Sequence, residues 1–142
     1  MKNSELASSL RDIVSRMHKR LRREVKSADN LSLTEITTLS YLYTNGSMYP
    51  SELAEATMVK AQSMSQIITH LEELEIITKT PSETDKRKVA ISLTAYGKQM
   101  VEQTRYERDE WMDNAIEQNL SPTEKKILQD AVVLMNKLAD YK

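Results

Sequence analysis

Two groups of residues in this chain have types and spacings suited to contact chemistry. In "SETDKRKVAISL", Ser82 to Leu93, the cations Lys86, Arg87 and Lys88 crowd beside a single carboxylate, Asp85. Upstream, no acidic residue occurs from Lys60 to Leu71. Within that run Gln62, Ser63, Ser65, Gln66 and Thr69 fall on the opposite side of a helical pattern from Met64, Ile67, Ile68 and Leu71. Amides and hydroxyls can exchange hydrogen bonds with base edges and sugar-phosphate oxygens, where carboxylates would be repelled. Lysine and arginine neutralise phosphates. The chemistry these types suit is recognition of a polyanion; a merely polar surface helix and a lysine-rich strand edge that resists aggregation are the plainer readings of the two groups. The chain has 20 basic and 21 acidic residues and a formal net charge of −1, so such binding must depend on where the charges sit.

Catalytic constellations fare worse. The two histidines, His18 and His70, are far apart and lack metal-ligand spacing. Cysteine is absent, which excludes disulfides, thiolate metal sites and thiol redox sensing. No glycine-rich phosphate loop or nucleophile elbow occurs. Glu72-Glu73 and Asp109-Glu110 are neighbours on helical patterns and do not face each other; solvation is their expected role. Neither an enzyme nor a cofactor or metal site is expected. No apolar run reaches the roughly 18 residues of a membrane span. The start, "MKNSELASSL", lacks the apolar core of a secretory signal, so the expected location is cytoplasmic.

The elements that must position the two groups follow from periodicity. Two glycines and three prolines leave few breaks and favour long helices. Leu6, Leu10, Ile13, Met17, Leu21 and Val25 form one helical stripe, with Lys19, Arg20, Arg22, Arg23 and Lys26 opposite. Ser32 with Glu35 is a capping box, Leu31 with Ile36 a hydrophobic staple, and Asn45-Gly46 an exit. After the extended "SMYP", a short helix containing Leu53 and Ala54 and a turn over Thr57 to Lys60 lead into an amphipathic helix from Ala61. This is a helix-turn-helix pattern. The period then changes to two: Val89, Ile91 and Leu93 alternate with Ala90 and Ser92, and Ile76 to Thr80 can pair with them across Pro81 to Lys86. A helical pattern resumes at Thr94, with Met100, Val101, Thr104, Trp111, Ala115 and Ile116 as inner positions. A last helix opens on a Ser121–Glu124 capping box with Pro122 at its first position. Its Ile127, Ala131, Leu134, Leu138 and Tyr141 are heptad-spaced. The expected fold is mainly α with a small β-hairpin wing.

Taken in order, "SELAEAT", "SMSQIITHLEELEIITK" and above all "TDKRKVAISLTAYGKQM" resemble the MarR family of winged-helix regulators. The last segment matches the family's wing signature of Asp, any residue, Arg, then a strand and Leu-Thr-x-x-Gly. The resemblance implies one domain over residues 1–142, with 1–30 and 95–142 as dimerisation helices and 31–94 as the DNA-binding lobe. It implies a homodimeric repressor of transcription on a palindromic double-stranded operator, released by a small lipophilic or aromatic effector. Ala61 to Leu74 matches the recognition helix. Asp85 matches the aspartate that orders the wing loop, and Arg87 the arginine that enters the minor groove, with Lys86 and Lys88 beside it.

Three positions depart from the pattern. Glu75 stands where the family places glycine, so this residue either avoids positive φ or is strained. Lys60 replaces the usual serine cap of the recognition helix. Gln66 stands where a basic residue is common, which implies a different operator. His18, Met17 and Tyr41 are candidates to line an effector crevice, with interface or core packing as the plainer role of each. The alternative function is a winged-helix module that docks another protein; the acid-free face and the wing Asp-x-Arg argue against it. Apolar stripes on both terminal helices exceed what a small winged core can cover, and a symmetric dimer would bury them.

Overall fold

The computed structural model describes residues 1–142. Its elements in chain order are α1 (Asn3–Arg23), α2 (Leu33–Asn45), β1 (Ser47–Met48), α3 (Pro50–Thr57), α4 (Ala61–Glu73), β2 (Ile77–Pro81), β3 (Val89–Leu93), α5 (Ala95–Asn119) and α6 (Pro122–Ala139). Local chemistry sets the boundaries. Ser32 Oγ accepts the Glu35 amide at 3.1 Å and Glu35 Oε1 accepts the Ser32 amide at 2.9 Å, the expected reciprocal cap of α2. Leu31 and Ile36 are both buried beside it. Gly46 closes α2 at φ +81, where a side chain would be disfavoured. Ser121, Glu124 and Pro122 open α6 as read.

The sheet has one strand more than the sequence pattern predicts. Strand β1 pairs antiparallel with β3 on the side away from β2, in the order β1-β3-β2, with Met48 opposite Ile91. Two residues carry no periodicity, so "SMYP" shows extension but not pairing. The hairpin itself runs from Ile77 opposite Leu93 to Pro81 opposite Val89. It starts and ends one residue later on its first strand than expected, and the loop spans 82–88. Val89 shares a face with Ile91 and Leu93 but lies beyond the core. It is 39% exposed, against 0% for Ile91 and 8% for Leu93. The strand is thus anchored at its base by two residues, and Val89 is not a third anchor.

A continuous core joins Leu39 and Leu42 of α2, Leu53 of α3, Met64, Ile68 and Leu71 of α4, the hairpin base and Val101 of α5. The join between hairpin and α5 depends on "LTAYG". Thr94 Oγ1 donates to the Glu75 carbonyl at 2.7 Å and accepts the Gly97 amide at 3.0 Å, so one hydroxyl caps α5 and holds the start of the wing. A Cβ on Gly97 would lie 2.1 Å from the Ile76 carbonyl oxygen. Only glycine lets α5 approach the strand this closely. Further along α5, Glu107 accepts the Lys26 and Ser27 amides at 2.7 and 3.1 Å, tying the α1–α2 loop to that helix.

Helices α1 and α6 contribute no buried residue. Leu6, Leu10 and Val14 face Leu134, Met135 and Leu138 across an open groove of about 740 Å³. Leu6 remains 56% exposed, Leu134 59% and Leu138 61%. No helix of the chain is long and apolar enough to cross a membrane.

Candidate nucleic-acid interface

Helix α4 is held by Met64, Ile68 and Leu71, which are buried, and by Ile67 and Leu74, which are half-buried. That packing turns Gln62, Ser63, Ser65, Gln66 and Thr69 outward, and all five are exposed. Thr69 Oγ1 donates to the Ser65 carbonyl at 2.9 Å, leaving its methyl and lone pairs outward. Lys60 caps α4 in an extended conformation with no side-chain cap bond. Its ammonium cannot accept from the helix amides, so the cap role of serine is lost and an exposed cation gained.

Two non-glycine residues in the left-handed region flank α4, Met58 at φ +59 where α3 ends and Glu75 at φ +61 where the wing begins. Glu75 therefore keeps the backbone that glycine would adopt, at a cost on the order of 1 kcal/mol. The neighbourhood overdetermines it. The Glu75 and Ile76 amides return to the Glu72 and Leu71 carbonyls at 2.9 and 3.0 Å, while Thr94 holds the Glu75 carbonyl. The wing thus leaves α4 at the angle a glycine would give. Met58, 91% exposed at the turn before α4, has the same closure, with its amide on Glu55 and the Val59 amide on Ala54.

In the wing, Asp85 Oδ1 accepts the Arg87 amide at 3.0 Å and Arg87 Nε at 3.2 Å. The guanidinium and this amide hold the Asp85 carboxyl below its ordinary range. Arg87 itself is 90% exposed, so the aspartate orients it without covering it. Lys86 and Lys88 are also exposed, but the Lys88 ammonium lies 5.0 Å from the centre of the Tyr49 ring and turns back toward the lobe. Of the expected wing set, Asp85 is an orienting group, Arg87 is an exposed cation paired with it, Lys86 is a free cation, and Lys88 is shared with Tyr49.

Three relationships escaped the sequence reading. Glu35, recognised there only as a cap, also accepts from His70 Nδ1 of α4 in a short contact. Facing a carboxylate, Nδ1 must carry the proton, and the ring joins α4 directly to the first turn of α2. Burial raises the Glu35 carboxyl, but the Ser32 amide and His70 outweigh it and leave the group below its ordinary value. Tyr49 reaches from the start of α3 to Ser82 of the wing loop, Oη to Oγ 2.7 Å. Tyr43, whose hydroxyl donates to Glu102 at 3.1 Å, carries Arg105 over its ring. No sequence signal marks these pairs, because the partners lie on different elements.

Of the effector candidates, His18 and Tyr41 are exposed and Met17 is half-buried. No group of three or more His, Asp or Glu side chains is placed to hold a metal ion.

The MarR family pattern matches residues 31–89, from the α2 staple to the first residue of β3. An uncharacterized HTH-type transcriptional regulator of Mycobacterium bovis is 31% identical over 138 residues, 97% of this chain and 95% of its own. Among solved structures, a Pseudomonas aeruginosa protein superposes with a TM-score of 0.87 at 28% identity, covering 99% of this chain and 98% of that one. A mutant of MepR from Staphylococcus aureus, solved bound to an oligodeoxyribonucleotide, gives a TM-score of 0.68 at 23% identity over 99% of each chain. MepR bound to ethidium bromide gives 0.66 at 22% identity, over 99% of this chain and 98% of that one.

Proposed function

This chain belongs to the MarR family of winged-helix regulators, and from that premise we propose that it acts as a homodimeric repressor on a palindromic operator. Residues 31–94 form the DNA-binding lobe; 1–30 and 95–142 form the dimer. The apolar faces of α1 and α6, unpartnered in the protomer, close on a second copy. Two-fold symmetry then presents the α4 helices to successive major grooves, about 34 Å apart.

The observation that carries this reading is the pairing of an acid-free, exposed α4 face with a wing arginine already oriented by Asp85. Gln62, Ser63, Ser65, Gln66 and Thr69 meet bases and backbone in the major groove, and Lys60 meets a phosphate at the helix start. Arg87 enters the minor groove, where narrow A·T-rich stretches concentrate negative potential. Lys86 and Lys88 flank it along the backbone, and Asp85 holds the loop that carries all three. A near-neutral chain suffices because these cations stand together. Release by a small lipophilic or aromatic molecule, in a crevice near Met17, His18 and Tyr41, completes the proposed cycle. The ethidium complex of MepR, a protein of the same fold, supports that class of ligand.

The test is selection of bound sequences from a random duplex pool, followed by titration of the selected duplex across salt. The expected result is a palindromic consensus bound tightly, with affinity falling steeply as salt rises. Gln66→Ala should weaken the selected duplex about tenfold or more while leaving unrelated duplexes unchanged, as for a base-reading amide. Absence of any enriched sequence would remove the proposal.

A further inference from the structure

Between the wing and α3 lies a cleft of about 530 Å³, bordered by Tyr49, Glu52, Thr80, Ser82, Glu83 and Thr84. The buried apolar contacts of the hairpin lie at its base, through Ile77, Ile91 and Leu93. The loop that carries Arg87 has no apolar anchor of its own, since Val89 at its foot is 39% exposed. One side chain crosses the gap. Tyr49 is the cap residue of α3, its amide satisfied by Glu52 at 2.8 Å, and its phenol extends to Ser82.

Ser82 is one of only four buried polar side chains in the chain, and it sits at a node. Its Oγ lies 2.7 Å from Tyr49 Oη, 3.2 Å from Thr84 Oγ1 and 3.3 Å from the Asp85 amide. One assignment satisfies every group: Tyr49 and the Asp85 amide donate to Ser82, and Ser82 donates to Thr84. The backbone closes the loop around this node, with the Ser82 amide on the Lys88 carbonyl at 2.9 Å and the Lys88 amide on Asp85 at 3.0 Å. Asp85 in turn holds Arg87. The Lys88 ammonium rests over the same tyrosine ring, so one phenol touches both legs of the wing loop. A continuous chain of contacts runs from α3 through Tyr49, Ser82 and Asp85 to Arg87.

We propose that Tyr49 is a positioning residue for DNA binding: it props the wing at the height over the lobe from which Arg87 reaches the groove, without touching DNA itself. The proposal rests on the DNA-binding reading above for its consequence, but not for its mechanical half. Tyr49→Phe is the informative change, because it keeps the ring, its packing and the Lys88 contact while removing the bond to Ser82.

Two measurements on the full chain decide it. Without DNA, hydrogen exchange at the Asp85, Arg87 and Lys88 amides should quicken in Tyr49→Phe while the α2 amides keep wild-type protection. Ser82→Ala, which breaks the node from the other side, should quicken the same three. Unchanged wing exchange in both variants overturns the proposal whether or not DNA binds. With the selected duplex, Tyr49→Phe should lower affinity about fivefold, the effect of one lost hydrogen bond, and should reduce the salt slope in the direction of Arg87→Ala. The double variant should bind no more weakly than Arg87→Ala alone, since the prop has no purpose without the arginine. Additive losses, or a wild-type salt slope in Tyr49→Phe, overturn it. If the wild-type chain enriches no duplex, the operator reading fails by that result, while the exchange data still decide whether Tyr49 holds the wing.

Discussion

Leu134→Asp tests the dimer most directly. Leu134 lies in the groove between α1 and α6 and is 59% exposed in the protomer. Full burial of a leucine stabilises by about 1.5–3 kcal/mol, so burying the remaining fraction on association is worth about 1–2 kcal/mol per copy. A two-fold interface uses the residue twice, so its loss weakens the dimer by about 2–4 kcal/mol, or about 30- to 700-fold in dissociation constant. The carboxylates add to this, since two unpaired charges would have to be desolvated in an apolar seam. The core of the winged lobe contains no α6 residue, so the variant should keep the lobe folded. Sedimentation velocity over a wide dilution series should show monomer where the wild-type chain is dimeric, with the far-ultraviolet circular dichroism of a helical protein retained. Binding to a full palindrome should fall to the level of a half-site. A Leu134→Asp chain that sediments as the wild-type dimer at every concentration would refute the assignment of this groove to self-association.

The wing and the polar core make further predictions. Arg87→Ala should leave thermal stability nearly unchanged, because its pair with Asp85 is solvent-exposed. It should nonetheless lower the salt slope of operator binding by about 0.9 per wing, about 1.8 for a dimer; an unchanged slope would remove the arginine from the interface. Glu75→Gly should raise stability by about 1 kcal/mol in chemical denaturation, since it relieves a left-handed backbone at φ +61. A loss of stability there would mean that the Glu75 side chain contributes more than its backbone costs. Acid should unfold the protein partly through Glu35 and Glu107. Burial raises both carboxyls, but the Ser32 amide for Glu35 and the Lys26 and Ser27 amides for Glu107 leave each below its ordinary value. Their contribution is complete above the unfolded carboxyl value of about 4.3 and is lost as pH falls through the folded values, because the unfolded chain binds more protons. Glu107→Gln should flatten the acid limb of a stability-against-pH curve, and an unaltered limb would count against this linkage.

Much of this molecule was legible because the forces concerned act within a few residues. The Ser32–Glu35 and Ser121–Glu124 caps, the Gly46 exit and the stripes of α4 and α6 depend on spacings of three or four, which a sequence displays directly. Asp85 holding Arg87, two residues on, is also a local contact, but its role was legible only through the resemblance to the family's wing. The exposed face of α4 followed from its buried face by geometry alone. The sequence also framed the question of Glu75, though not its answer: positive φ persists there because Thr94, on the far side of the hairpin, fixes the Glu75 carbonyl.

Tertiary structure decided what depends on pairs distant in the chain. Strand β1 is too short to show a period and exists because β3 offers it an edge. Tyr49 and Ser82 are 33 residues apart, and Glu35 and His70 are 35 apart. Neither pair has a spacing rule, since a hydrogen bond between elements depends on where packing places two backbones. The wing was recognised from "SETDKRKVAISL" by its own local pattern, but the prop that sets its height came from outside it. Local hydrogen bonds and periodicity wrote the elements into the sequence; burial of one shared core then determined which side chains from separate elements would meet.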